Sequence, residues 1–193
     1  MNALKSIAVF CGSSVGNDAK IIAQSKALGT LLAQEKIAVV YGGAKIGIMG
    51  NVADAALAHK GKVIGVIPEF LKLKEVVHLG LQELITTDTM HQRKMKLQEL
   101  SDGFITLPGG FGTFEELFEV ITWAQLGLHQ KPVGVLNSNG FYDDLIAMLK
   151  TMVTKGLLKK DNLEMLIIDT QVESLLEKMR NFTPKALPKW CKV

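Results

Sequence analysis

Phe104-Ile105-Thr106-Leu107-Pro108-Gly109-Gly110-Phe111-Gly112-Thr113-Phe114-Glu115-Glu116 runs from an apolar segment, through a glycine-rich turn, into an amphipathic stretch beginning at Phe114. The pattern predicts a strand, a tight turn and the start of a helix. A helix N-terminus presents unpaired backbone N–H groups and the positive end of the macrodipole, so it attracts anions such as phosphate. Glycines in the turn let the backbone approach a ligand without interference from Cβ. Glu115 and Glu116 add carboxylates beside whatever anion is bound. A phosphate cradle with an acid at its lip points to an enzyme acting on a phosphorylated small molecule.

The same strand-to-helix alternation extends in both directions. Apolar runs at Ile7–Phe10, Ile37–Val40, Val63–Ile67, Leu84–Thr86, Phe104–Leu107, Val133–Leu136 and Leu166–Ile168 predict strands. Helical spacing is read from Asp18 to Gln34, at Asn51–His59, at Met90–Leu100 with Thr87 or Asp88 as cap, from Phe114 to Gln125, at Phe141–Lys155 and at Val172–Met179. The helix from Phe114 is expected to bury Phe114, Leu117, Phe118, Ile121 and Ala124. Glu69 to Gly80 has no clear period and reads as a long excursion, a length that in compact domains often carries function. Strands alternating with helices predict an α/β fold: one Rossmann-like, doubly wound, mostly parallel sheet with helices on both faces. Residues 1–182 are read as one nucleotide-binding domain and 183–193 as a C-terminal tail. Ligands of such sheets bind beyond the carboxyl ends of the strands, where the glycine loops 12–14, 42–50 and 108–113 are expected to converge.

Composition narrows the class. In 193 residues, 48% hydrophobic and 21% charged side chains belong to a globular protein with a substantial core. The net charge of +3 is spread along the chain, without the basic stripe of a nucleic-acid binder. Cys11 and Cys191 stand near opposite ends, which argues against a disulfide framework and for reduced thiols. No run of about 20 apolar residues is available to span a membrane, and no signal-peptide core is present. A soluble, cytoplasmic protein with no nucleic-acid or membrane partner is expected.

Several familiar motifs are missing. The turn Cys11-Gly12-Ser13-Ser14-Val15-Gly16 is not the dinucleotide fingerprint, and Gly110-Phe111-Gly112 lacks its third glycine. No Gly-Lys-Ser/Thr ending marks a P-loop. His59, His78, His91 and His129 show no metal-ligand spacing, so no metal is expected. Cys11 reads as a small buried hydrophobe. Thr113-Phe114-Glu115-Glu116 matches a capping box, in which Glu116 only reaches back to the helix start; capping and catalysis are equally compatible with the spacing. Arg93 reads either as part of a solvated basic face or as a planar fork aimed at a phosphate or base.

Taken together, Pro108-Gly109-Gly110-Phe111-Gly112-Thr113-Phe114-Glu115-Glu116 and Met90-His91-Gln92-Arg93-Lys94 resemble the P-G-G-x-G-T-x-x-E signature of the Lonely Guy family. These are cytokinin-activating phosphoribohydrolases often labelled lysine decarboxylases. Phe10–Ser14, Tyr41-Gly42-Gly43 with Gly47-Ile48-Met49-Gly50, Ile121–Gly127 and Lys131–Gly134 resemble further family blocks, so the likeness covers nearly the whole chain. Ala44 departs from it, standing where members commonly carry a third glycine. The resemblance implies hydrolysis of the N-glycosidic bond of adenosine 5′-monophosphates, typically N6-prenylated, to free base and ribose 5-phosphate. It implies Arg93 and Glu116 as catalytic residues, and Gly43, Glu75, Lys94, Gly110, Phe111, Gly112, Thr113 and Thr122 as substrate-binding ones. It implies no cofactor, and a homodimer meeting through Met90–Leu100 and Phe114–Gln125. A decarboxylase would need a pyridoxal Schiff-base lysine, and no lysine here carries that signature. The proton for the departing base is left open between Asp88 and water. The rival reading is a non-enzymatic carrier or sensor of a phosphorylated, nucleotide-like ligand.

Overall fold

The computed structural model describes residues 4–72 and 77–184. Residues 1–3, 73–76 (which include Glu75) and 185–193 lie outside them, as does most of the expected tail. Seven strands form one sheet: β1 (Ser6–Phe10), β2 (Ala38–Tyr41), β3 (Val63–Pro68), β4 (Glu83–Thr87), β5 (Gly103–Thr106), β6 (Val133–Leu136) and β7 (Leu166–Asp169). Their order is β4-β3-β2-β1-β5-β6-β7, and every neighbouring pair is parallel. Register is set by pairs such as Ser6↔Ala38 and Ile7↔Gly103 on the two sides of β1. β3 is buried along its whole length, whereas the edge strand β4 alternates exposed and half-buried positions. Central strands covered on both faces need continuous apolar runs; an edge strand does not.

The connecting segments supply α1 (Ala19–Gln34), α2 (Gly47–Ala58), α3 (Glu69–Lys72), α4 (Met90–Glu99), α5 (Phe111–Leu126), α6 (Asp143–Thr154), α7 (Lys160–Leu163) and α8 (Val172–Arg180). One apolar core lies between the sheet and α1, α2 and α8, built on Ile7, Val39, Leu28, Val52 and Leu175. A second, on the opposite face, joins Ala8, Val40, Phe104, Leu97, Leu117 and Tyr142 from α4, α5 and the start of α6. Burial of these side chains on two faces fixes the sheet between helical layers.

Helix starts or caps differ from the sequence expectation in four places, one being α6, which begins at Asp143 rather than Phe141. α2 begins at Gly47 rather than Asn51; Gly47 itself turns the chain at a left-handed φ of +69°, and Gly50 is already helical. α4 is capped by Thr89, not by Thr87 or Asp88: its side chain accepts from Gln92 N at 3.2 Å, while the Gln92 amide oxygen accepts from Asp88 N at 2.8 Å. Thr89 and Gln92 thus cap α4 in a variant of the capping box, the Gln92 side chain reaching the N–H one residue before the cap. α5 begins at Phe111 with Gly110 as N-cap, which leaves Thr113 and Glu116 inside the helix. Its inward face also differs: Val120 is buried and Phe118 is 39% exposed. Both are apolar, and packing against the sheet rather than periodicity selects between them.

Candidate active site

The strand order reverses its direction of growth at β1, whose neighbours are β2 and β5. Loops leaving the carboxyl ends of β1 and β5 therefore diverge and open a crevice. Gly12, Ser13, Ser14, Ile48, Pro108, Gly109 and Gly110 line it, with Asp18 and Phe141 farther out. The three glycine loops converge there. Gly12 N donates to Pro108 O at 3.1 Å, and Ile48 N donates to Gly12 O at 3.1 Å. Gly109 has to be a glycine, since a Cβ would collide with the Thr113 hydroxyl and crowd Gly12 N. A Cβ on Gly110 or Gly112 would meet nothing within 4 Å, so the space above the α5 N-terminus is open. The backbone N–H groups of the first α5 turn face that space without helical partners.

Behind this cradle, Arg93 and Glu116 act on one another. Arg93 is 7% exposed, an unusual burial for a guanidinium. Its Nε donates to Val66 O at 3.1 Å and its Nη2 to Gly42 O at 3.4 Å. Gly42 is a glycine for this reason: a Cβ would strike the Arg93 guanidinium. Glu116 is half-buried on α5, and its carboxylate accepts no hydrogen bond from another described residue. Burial pushes its carboxyl up to about 7, against the pull of the Arg93 charge and with further upward pressure from Glu115. Such a group exchanges a proton near neutral pH, as a general acid or base must. Because α5 is capped by Gly110, Thr113 is its third residue and Glu116 its sixth, too far along to reach the helix start, and the capping alternative falls away.

The remaining expected residues fall into two groups. Thr113, 4% exposed, lies against Gly109, which lines the crevice, whereas Gly43, at a left-handed φ of +80°, faces Ile67 and Leu84. Lys94 instead bridges α4 to α5, paired with Glu115 and, at 2.9 Å, with Glu119. Burial works against its charge, but the two carboxylates outweigh it and raise its pKa. Phe111 is 97% exposed at the rim of the cradle. Thr122 is exposed on the outer face of α5, with Glu115 and Phe118 and away from the buried side. Asp88 lies in a groove with Thr86, His91 and Gln92, not among the glycine loops. Cys11 is buried as expected, and burial raises its thiol pKa, with a smaller contribution from Glu116.

Two supports escaped the sequence reading. His78, 4% exposed, donates its backbone N–H to Gly43 O at 3.0 Å. Its ring accepts from Gly80 N at 3.1 Å through Nδ1 and meets Asp54 at 2.9 Å through Nε2, tying the second loop to α2. Tyr142, fully buried, donates its hydroxyl to Leu107 O at 2.7 Å, just before the third loop. A lone histidine and a lone tyrosine carry no spacing signal that would have revealed either.

Fold and crevice define a Rossmann-like α/β protein with a glycine-built anion cradle, a buried guanidinium, Arg93, and a half-buried carboxylate, Glu116, within reach of its charge. A family model described as "Possible lysine decarboxylase" matches residues 49–179. A cytokinin riboside 5′-monophosphate phosphoribohydrolase of Rhodococcoides fascians is 42% identical, over 92% of this chain and 90% of its own length. A probable enzyme of the same name from Arabidopsis thaliana is 44% identical, over 94% of this chain and 90% of its own. Among solved structures, the molybdenum cofactor binding protein of Rippkaea orientalis shares the fold, with a TM-score of 0.69 at 23% identity over 91% of this chain and 95% of that one. The chain belongs to the Lonely Guy family of phosphoribohydrolases. The decarboxylase wording fits the site poorly. Nucleophilic lysines are held neutral by their surroundings, whereas Lys94, on the same helix as Arg93, is held charged by two glutamates.

Proposed function

We propose that this protein hydrolyses the N-glycosidic bond of adenosine 5′-monophosphates, N6-prenylated ones included, releasing free base and ribose 5-phosphate. The observation that carries the reading is a Glu116 on α5 whose pKa burial raises to about 7 within the field of a buried Arg93, on the helix whose N-terminus opens to the cradle. Backbone N–H groups of Gly110 to Thr113 and the Thr113 hydroxyl hold the 5′-phosphate. The ribose then reaches over Gly42 and Gly43 toward Glu116. Glycosidic cleavage develops positive charge on the sugar, which the Glu116 carboxylate stabilises while it orients the attacking water and takes its proton. Arg93 keeps enough Glu116 ionised for that task and donates hydrogen bonds toward the substrate, but as a permanent cation it does not protonate the leaving base. Water delivers that proton, Asp88 being placed in a different groove.

The protein works as a cytoplasmic homodimer joined through the exposed stripe of α5 and the adjoining α4 face. In that assembly Thr122 lies at the subunit boundary. Incubation with AMP and with N6-isopentenyl-AMP, followed by chromatography, tests the reading: free base and ribose 5-phosphate are expected in equal amounts. Tight stoichiometric binding without base release from either, at high protein concentration, would instead establish the carrier reading.

A further inference from the structure

A cradle made of glycine-rich loops has a physical weakness. Gly109, Gly110 and Gly112 impose little conformational preference of their own, so the turn must be held from outside if its N–H groups are to meet an anion at hydrogen-bond distance. The outside support comes from the turn between β6 and α6. At one end of it, the Tyr142 hydroxyl donates to Leu107 O at 2.7 Å, the last carbonyl before Pro108-Gly109-Gly110. Both residues are fully buried. Tyr142 is itself fixed: its backbone N–H donates to Asn137 Oδ1 at 2.8 Å, and Asn137 Nδ2 donates to Asp143 Oδ1 at 2.7 Å. Phe114 of α5 packs edge-on to its ring at 5.7 Å between centroids.

The same turn grips the opposite wall. Asn139, at a left-handed φ of 50°, donates from Nδ2 to Asp18 Oδ2 at 2.8 Å, and its Oδ1 accepts from Lys20 Nζ at 3.2 Å. Asp18 caps α1 and ends the loop that begins at Gly12. Between the two grips, Phe141 lines the crevice opposite Ser13, Ser14 and Gly110. The four-residue span Asn139–Tyr142 therefore touches the first loop, the third loop and the crevice between them.

We propose that the turn from Asn137 to Asp143 is a brace that sets the width of the anion cradle, with Tyr142 and Asn139 as positioning residues for the 5′-phosphate. This rests on the reading of the cradle as a phosphate site. A residue serving the fold alone would affect all ligands equally; a brace affects ligands in proportion to their dependence on the phosphate.

Calorimetric titration with ribose 5-phosphate and with adenosine, on wild type, Tyr142→Phe and Asn139→Gly, separates the two. Tyr142→Phe keeps the ring and removes the bond to Leu107, so ribose 5-phosphate should bind about twofold to tenfold more weakly, the range for one lost hydrogen bond. Asn139→Gly keeps the left-handed backbone at an exposed position and should weaken it by about twofold to fivefold. Adenosine affinity should stay within error in both. In turnover assays with AMP the loss should appear in KM, with kcat nearly unchanged. Unchanged ribose 5-phosphate affinity in Asn139→Gly and in a folded Tyr142→Phe overturns the brace, as does equal weakening toward adenosine. If Tyr142→Phe fails to fold, Asn139→Gly decides alone. Wild type that binds no ribose 5-phosphate removes cradle and brace together. Wild type that binds it but releases no base from AMP refutes only the hydrolase reading.

Discussion

Glu116 was visible in the sequence as a carboxylate near a helix start, but its burial was not, and burial is what changes its chemistry. In the unfolded chain it titrates near 4.5, and in the folded one at about 7. A raised carboxyl pKa stabilises the fold below the unfolded value, and that contribution is lost as pH rises through the folded one. Glu116→Gln should therefore be more stable than wild type at pH 8, by about 1–3 kcal/mol, and show no such gain at pH 4. Thermal melts at the two pH values check this. The same variant should lose on the order of 100-fold or more in kcat, and the wild-type kcat/KM should rise with pH toward a plateau above about 7, as the base form accumulates. Near wild-type turnover in Glu116→Gln would remove it from catalysis. Arg93 makes a parallel case. Its spacing left a solvated face and a functional fork both open, because the Val66 and Gly42 carbonyls that hold it are distant in sequence. Arg93→Lys keeps the charge and loses the fork, so we expect a fall of about 10-fold to 100-fold in kcat/KM and a lower melting temperature. Wild-type kinetics in that variant would reduce Arg93 to a generic cation.

Elements were legible where periodicity is strong, as in β3 and α1, and misread where glycine obscures a boundary. Gly47 and Gly50 read as loop, yet both lie in α2, since close contact with Ser13 and Lys45 there leaves no room for a side chain. The cap of α4 was expected one or two residues early, at Asp88 or Thr87, and the Thr-x-x-Glu spacing at Thr113–Glu116 was compatible with a cap, whereas the Thr-x-x-Gln spacing that caps a helix is Thr89–Gln92. Sequence spacing is identical in the two places; what differs is where the preceding strand ends and the chain turns. Thr89→Ala should cost about 1 kcal/mol in urea denaturation. Because α4 carries Arg93 in its first turn, activity should fall in the same variant beyond what the lost stability explains at 25 °C, and Gln92→Ala should reproduce part of it. A Thr89→Ala protein with unchanged urea midpoint would show that the α4 start is held by the tertiary contacts of Arg93 and Leu97 alone.

At the scale of the whole molecule, the alternation of strands and helices announced a doubly wound sheet, but no local signal orders its strands. The crevice exists because β5 pairs with β1 rather than extending the β2-β3-β4 side, a choice made by long-range burial. The proposed dimer depends on a property of the surface rather than of the core. Phe111, Phe118 and Leu126 of α5 are 97%, 39% and 49% exposed and recur on one helical face, with Met95 of α4 exposed nearby. Scattered apolar side chains on a surface are ordinary, but a stripe along one helix marks a contact. It is rimmed by the Lys94–Glu115 and Lys94–Glu119 pairs, the polar border expected of an interface. Phe118→Asp introduces a carboxylate between Glu115 and Glu119 on that face. In a dimer joined there, two such carboxylates are buried beside a Lys94 already paired with Glu115 and Glu119, and the dimer should weaken by about 100-fold or more. Sedimentation at micromolar concentration should find wild type at twice the chain mass and Phe118→Asp at the chain mass, with the circular dichroism of both alike. Wild type sedimenting as a monomer, or a variant still dimeric, would place the contact elsewhere on the molecule.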